Sequence, residues 1–274
     1  MANRARPDLW IPHSEERWLL VTDLDDTLLA SDKPEDPLFA TFANTVKSAD
    51  ELMVVVNSSR PRGSVLRTLA GNRSVQESGF MPDGLITAMG TEVLIFDDEE
   101  ESIAVISDRE WQKRFDGWDR REVVNTMKAF KSRGVRSHAD EFQARFKVSY
   151  SVPPEVQDEC AEAIQRLSQA SRIVRSGESD FDILPATAGK GSATLFVADI
   201  LGIDIPNRLM VAGDSANDVA MFEVSRHGIV VGNARSELVR RVDKEVAFHS
   251  RLPRSRGLLD GLQHWGAILD TVNS

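Results

Sequence analysis

The sequence predicts an α/β chain: a parallel sheet built from βαβ units, interrupted by a smaller antiparallel α/β module. Three observations predict it. Short continuous apolar runs alternate with helical stripes over the first 90 residues, as in parallel strands joined by crossover helices. Between 91 and 183 the strand-like segments alternate polar and apolar residues, as half-exposed strands do. After residue 184 the buried runs return, each followed by a helix. The boundaries that follow are an arm at 1–16, a first core part at 17–90, an inserted module at 91–183 and a second core part at 184–274.

Taken in order, residues 1–16 are polar and carry Pro7 and Pro12, which suggests a loose arm pinned by Trp10. Leu19, Leu20 and Val21 read as a buried strand that delivers Asp23, Asp25, Asp26 and Thr27 to its C-terminal end. A polar loop (30–37) precedes a short helix, Leu38 to Val46, with Leu38, Phe39, Phe42 and Val46 on one side. Leu52 to Val56 is a second buried strand, ending in Asn57, Ser58, Ser59 and Arg60. Pro61 restricts Arg60 and opens a helix striped by Val65, Leu66 and Leu69. Residues 71–84 are Gly- and polar-rich, and Leu85 to Ala88 is a third strand.

The inserted module opens with TEVLIF at 91–96. The acidic run Asp97 to Glu101 is expected in a solvated hairpin turn, with Ile103, Val105 and Ile106 on the returning strand. Residues 119–131 look helical, with Val123, Val124, Met127 and Phe130 inward; Phe146 to Val152 alternates as a strand. Pro153 and Pro154 start a helix whose stripe holds Val156, Cys160, Ile164 and Leu167, so Cys160 reads as structural. Strands at 173–174 and 181–184 complete the module. The core then resumes with a helix from Lys190 to Leu201, stopped by Gly202, and a buried strand from Leu209 to Ala212. A helix around Val219, Ala220 and Phe222, a strand from Ile229 to Val231, and helices near 236–242 and 258–272 follow.

Composition excludes several classes. A net charge of −10 argues against nucleic acid or an anionic membrane as a general partner. No segment has 18 consecutive apolar residues, and the N-terminus lacks the apolar core of a signal peptide. The single cysteine allows no intrachain disulfide, so a cytoplasmic home is expected.

Polar clusters recur at strand ends, where open α/β sheets bind ligands. Asp23 and Asp25 can converge on one small substrate, one as nucleophile or metal ligand and the other as proton donor; an acidic loop is the ordinary alternative. Ser58 offers a hydroxyl to an anion at a helix start, or simply caps that helix. Lys190 stands in the first helical turn, where it opposes the helix dipole; an anionic partner explains it, a surface position does too. It is not a P-loop lysine, because Leu184 stands where the first glycine belongs and Gly191 where Ser or Thr is required. Asp214 and Asp218, four apart in GDSAND, suit a hard cation such as Mg2+, or an N-cap. Each cluster is ambiguous alone, but all four follow buried strands, and the ordinary readings would have to hold together.

DLDDT at 23–27, the Ser58 strand end, Lys190 and GDSAND at 213–218 resemble the four motifs of the haloacid-dehalogenase-like phosphatases. The resemblance covers most of the chain. It implies a Rossmann-like parallel-sheet core with an inserted smaller α/β cap domain, Mg2+ as cofactor and a phosphoaspartyl intermediate. Asp23 would be the nucleophile and Asp25 the proton donor, later the base. Ser58 and Lys190 would hold the phosphoryl oxygens; Asp23, the Asp25 carbonyl, Asp214 and Asp218 would form the Mg2+ site. Within that superfamily GTEVLIF (90–96), FKVSYSV (146–152), SDFDILP (179–185), KGSATLFVADILGI (190–203) and the stretch 211–238 are similar to the sucrose-phosphate phosphatases. One departure is Asn57-Ser58-Ser59-Arg60, where that family shows a Thr-Gly-Arg type of segment; the hydroxyl is kept, glycine's freedom is not.

This resemblance implies hydrolysis of a sugar phosphate, foremost sucrose 6-phosphate. The alternatives are another glycoside phosphate, mannosyl-phosphoglycerate or a broad range, and a non-catalytic partner of a sugar-phosphate synthase. Substrate contacts are expected from Ser59, Arg60 and Asn217 in the core and from Lys147, Ser149, Ser176 and Asp180 in the cap. Arg60 is open between substrate and a core carboxylate. A monomer is expected, with room for loose association with such a synthase, and a cap hinged near Gly90 and Pro185 that closes over substrate.

Overall fold

The structure, a computed structural model, describes residues 16–31, 36, 38–96 and 108–268. The arm with Trp10, the acidic run at 97–101, the returning strand at 103–106 and the last turns expected beyond 268 lie outside the described residues.

Among the described residues eleven strands form two sheets: β1 Trp18–Thr22, β2 Leu52–Asn57, β3 Gly84–Thr87, β4 Glu92–Ile95, β5 Arg136–Ser137, β6 Val148–Ser151, β7 Ser171–Ser176, β8 Asp180–Pro185, β9 Leu209–Gly213, β10 His227–Val230 and β11 Ala247–His249. The large sheet has the order β11-β10-β9-β1-β2-β3-β4. All its pairs are parallel except β3 with β4. β1 and β9 are buried along their whole length, as central strands covered on both faces must be. The two-residue period of β1 sends Leu19 and Val21 to one face and Leu20 to the other. Leu19 and Val21 pack with Ala193 and Val197 of the helix Lys190–Ile200. Leu20 packs with Phe39 and Phe42 of Phe39–Lys47, Val65 of Arg62–Gly71, and Leu258 and Leu262 of Arg254–His264. Strand order reverses beside β1, which puts a crevice at the C-terminal ends of β1, β2 and β9.

The second sheet, β5-β6-β8-β7, is antiparallel. Val148, Tyr150, Phe181 and Ile183 share one face and bury Val123 and Met127 of the helix Arg120–Lys128 and Cys160 and Ile164 of Gln157–Gln165. Ser149 and Asp182, register partners in β6 and β8, take the opposite face. Cys160 is wholly buried and burial pushes its thiol up, which suits a structural cysteine.

Several expectations change. TEVLIF was expected to open the inserted module, but β4 is the antiparallel edge of the large sheet, and Trp111 and Phe115 pack into the core beside Phe196. Alternation of polar and apolar residues marks a strand without saying which sheet it joins. The Gly- and polar-rich stretch 71–84 holds a helix, Arg73–Ser78, capped by Asn72, whose side chain accepts from the Val75 amide, and closed by left-handed Gly79. Leu38 and Leu66 are exposed, so both helical stripes are narrower than their leucines imply. β5, β11 and the helix Ile205–Arg208 are too short to carry a period.

Candidate active site

β1 ends at Thr22, and the Asp23 amide donates to the Ala212 carbonyl of β9 at 3.0 Å. Asp23 is thereby held one step beyond the last residue pair of β1 and β9. From the other side comes Lys190, the first residue of its helix. A Cβ on the next residue, Gly191, would lie 2.1 Å from the Ala220 carbonyl oxygen, so only glycine lets this helix start settle against 219–222. Lys190 Nζ then lies 2.5 Å from Asp23 Oδ1, 2.6 Å from Asp218 Oδ1 and 3.3 Å from Asn217 Oδ1. A buried ammonium at the positive end of a helix is doubly disfavoured, and two carboxylates answer both objections.

Asp23, Asp214 and Asp218 present carboxylate oxygens within 4.8 Å of one another, all buried. Three carboxylates against one ammonium leave an excess of negative charge. Burial drives the Asp23 carboxyl well above its ordinary range; Lys190 opposes this, while Asp218 and Asp214 add to it. Burial and then Asp218 push Asp214 up to about 6, against Lys190 and Arg235. Burial also opposes the charge of Lys190, but Asp218 and Asp23 hold its ammonium protonated. The three acids are not equivalent. Asp218 Oδ2 accepts from the Asp214 and Ser215 amides, both at 3.1 Å, and Oδ1 from Lys190, so it orients the turn and the lysine. Asp23 Oδ2 and Asp214 Oδ2 have no donor among the described residues.

Asp25 stands apart from this cluster. Arg60 grips it in a fork, Nε to Oδ2 at 2.7 Å and a terminal nitrogen to Oδ1 at 2.8 Å. Of the two partners expected for Arg60, the core carboxylate is the one it meets here, and Arg60 also lines the cavity between the two sheets. Ser58 is fully buried and its Oγ accepts from the Arg60 amide at 3.1 Å. Ala88 and Met89, both at positive φ, donate their amides to the Arg60 and Ser58 carbonyls at 2.7 and 3.2 Å, and so brace this segment.

A cavity of about 510 Å³ separates the two sheets, a size suited to a small organic molecule. Its core side includes Asp25, Ser59, Arg60 and Asn217; its cap side includes Lys147, Ser149, Ser176 and Asp180. The expected cap contacts therefore share one wall. Lys147 is buried, bonds the Ser59 carbonyl across the cavity at 3.1 Å, and sits 3.3 Å from Asp182 Oδ1. Ser149 Oγ donates to the same Asp182 oxygen at 2.5 Å. Ser176 Oγ is buried without a partner among the described residues.

The sequence reading missed His138, Asp182 and Arg235, which also line the cavity. Asp182 had a signal, since it lies two residues from Asp180 on one strand and must share its face. His138 and Arg235 follow no period. Among the described residues, no helix is long and apolar enough to cross a membrane.

Comparison with known proteins places the chain in a family. Residues 16–266 match the family described as sucrose-6F-phosphate phosphohydrolase. The mannosylfructose-phosphate phosphatase of Agrobacterium fabrum is 31% identical over 90% of this chain and 96% of its own length. A probable sucrose-phosphatase 3a of Arabidopsis thaliana is 28% identical over 94% of this chain, which spans 63% of that longer protein. The solved sucrose-phosphatase of Synechocystis sp. PCC6803, in complex with sucrose and phosphate, superposes with a TM-score of 0.76 at 22% identity, covering 93% of this chain and 99% of that one; it establishes the fold. The chain is thus a sugar-phosphate phosphatase of the haloacid-dehalogenase-like superfamily and belongs to the sucrose-6F-phosphate phosphohydrolase family.

Proposed function

We propose that the protein hydrolyses the phosphate monoester of a fructose-containing disaccharide, foremost sucrose 6-phosphate, with Mg2+ and through a phosphoaspartyl intermediate on Asp23. The observation that carries this reading is the buried cluster of Asp23, Asp214, Asp218 and Lys190 beside a cavity walled by the cap.

Mg2+ fits the residues present. The donors are all oxygen, the acids carry more negative charge than Lys190 offsets, and Asp23 and Asp214 each keep one oxygen without a donor among the described residues. These two side chains would hold the ion together with the Asp25 carbonyl, with Asp218 closing the site behind Lys190. When bound, the cation offsets the repulsion between a carboxylate nucleophile and a phosphate dianion and stabilises the charge of the transition state.

The side chains divide the rest of the work. An Asp23 carboxylate oxygen attacks phosphorus, forming the acyl phosphate as the ester P–O bond breaks. Asp25 gives its proton to the departing sugar oxygen. Asp25 then takes a proton from a water that attacks phosphorus, releasing phosphate and restoring Asp23. Lys190 and Ser58 steady the phosphoryl oxygens, and Arg60 keeps Asp25 aimed. The wall of Lys147, Ser149, Ser176 and Asp180 faces where the sugar would lie, and Asn217 joins it from the core. The Lys147 bond to Ser59 ties that wall to the Arg60 segment, consistent with a cap that closes over substrate. The protein would act as a cytoplasmic monomer that associates loosely with a sugar-phosphate synthase.

A second reading rests on the mannosylfructose-phosphate phosphatase, which matches along nearly its whole length. It keeps the chemistry and exchanges the glucosyl for a mannosyl unit. Phosphate release with Mg2+ from sucrose 6-phosphate, mannosylfructose phosphate, glucose 6-phosphate and fructose 6-phosphate separates the readings. The disaccharide phosphates are expected to give the highest kcat/KM. Equal values across the panel contradict a disaccharide substrate, and no release contradicts a phosphatase.

A further inference from the structure

Asp26 takes no part in the chemistry above, yet it is held by more contacts than either neighbour. It lies at φ +60, a conformation that a non-glycine residue keeps only where its surroundings enforce it. Its amide donates to the Leu29 carbonyl at 2.7 Å, and Oδ2 accepts from Ser31 Oγ at 2.7 Å. Two residues distant in sequence complete the hold. Asn233 Nδ2 donates to the Asp26 carbonyl at 2.7 Å, and a terminal nitrogen of Arg254 donates to Asp26 Oδ1 at 3.0 Å. Arg254 is itself at φ +52, and its amide donates to Asn233 Oδ1 at 2.9 Å. The result is a closed ring: Asp26 carbonyl, Asn233 amide group, Arg254 backbone, Arg254 guanidinium, Asp26 carboxylate.

The ring does not end at Asp26. Asn233 belongs to the loop that follows β10, and two residues later the Arg235 amide donates to the Asp214 carbonyl at 2.7 Å. The same short loop therefore grips the segment that carries Asp25 and the segment that carries Asp214. Among the described residues, one direct side-chain bond joins those segments at this point, Thr27 Oγ1 to Asp214 Oδ1, and at 3.5 Å it is long.

We propose that Asn233 and Arg254 are positioning residues for the divalent cation: by clamping Asp26 they fix the distance between the Asp23–Asp25 strand end and Asp214. This rests on the Mg2+ reading of the site. Groups that orient metal ligands without touching the metal typically change affinity by about 10- to 100-fold when removed. The ring is built from a carboxylate, a carboxamide and a guanidinium that the proposed chemistry leaves unused.

The test is thermal denaturation of the whole chain without substrate, across a Mg2+ titration, for wild type, Asn233→Ala, Arg254→Ala and Arg254→Lys. Asn233→Ala and Arg254→Ala are expected to need about 10- to 100-fold more Mg2+ for half of the full stabilisation. Arg254→Lys, which keeps the charge without the fork, should fall between them and wild type. Should either alanine variant fail to fold, Arg254→Lys and Asn233→Ser carry the comparison, with smaller shifts in the same direction. A lower melting temperature with an unchanged Mg2+ midpoint overturns the proposal and leaves the phosphatase reading standing. A wild type that does not respond to Mg2+ overturns both the proposal and the Mg2+ reading on which it rests.

Discussion

Lys190 Nζ lies 2.5 Å from Asp23 Oδ1, although 167 residues separate them and both side chains are all but inaccessible. One comes from the first strand of the core and the other from the helix that resumes it after the inserted module. The pair is therefore made only when both halves of the core have assembled, and it fixes the carboxylate proposed to attack phosphorus.

Replacing Lys190 by Met leaves three buried acids without their cation. Removing one partner from a buried pair costs about 3–5 kcal/mol, and the remaining acids recover part of this by taking up protons. The variant should lose activity and melt lower than wild type, with a deficit smaller at about pH 5 than at about pH 8. Melting curves at both values check this; an equal deficit at both contradicts the charge argument.

Arg60 holds Asp25 through two parallel bonds that a lysine cannot reproduce. Arg60→Lys gives up one charge-assisted bond of about 1.5–3 kcal/mol, and kcat should fall about tenfold or more with a smaller change in KM. If KM rises while kcat is unchanged, Arg60 binds substrate rather than aiming Asp25.

Asp214 is raised to about 6 by burial and by Asp218, and the proposed Mg2+ would have to displace its proton. Mg2+ affinity should therefore weaken as pH falls through about 6. The stability contribution has the opposite sense in metal-free protein. Because the folded value lies above the ordinary 3.8, protonation favours the fold, and this contribution is lost as pH rises through about 6. Added Mg2+ should reverse that loss. Calorimetric Mg2+ titrations on either side of this pH, paired with melts of the metal-free protein, test both signs; a Mg2+ affinity independent of pH contradicts them.

Much of this was legible in the sequence, because the candidate catalytic groups follow strands with strong one-dimensional signals. The buried run of β1 and the run of β9 place Asp23 and Asp214 at adjacent strand ends once the sheet is parallel. The cap wall was partly legible for the same reason: alternation in FKVSYSV puts Lys147 and Ser149 on the face opposite Val148 and Tyr150. Other features depend on tertiary neighbours and leave no periodic trace. β4 joins the core because β3 offers it a free edge. The Asp25 fork with Arg60 needs β1 beside β2, and the Asp26 clamp needs residues more than 200 positions away. The short helix Arg73–Ser78 was hidden by its polar composition, although Asn72 and Gly79 stand where caps belong.

The account turns on Asp23, and the direct measurement is phosphate release from sucrose 6-phosphate and mannosylfructose phosphate with saturating Mg2+, for wild type and Asp23→Asn. The substitution keeps the shape of the side chain and removes the proposed nucleophile. The expected result is turnover by wild type that EDTA abolishes, and a loss of at least about a thousandfold in the variant with an unchanged circular dichroism spectrum. Turnover by Asp23→Asn at a rate near that of wild type would contradict it.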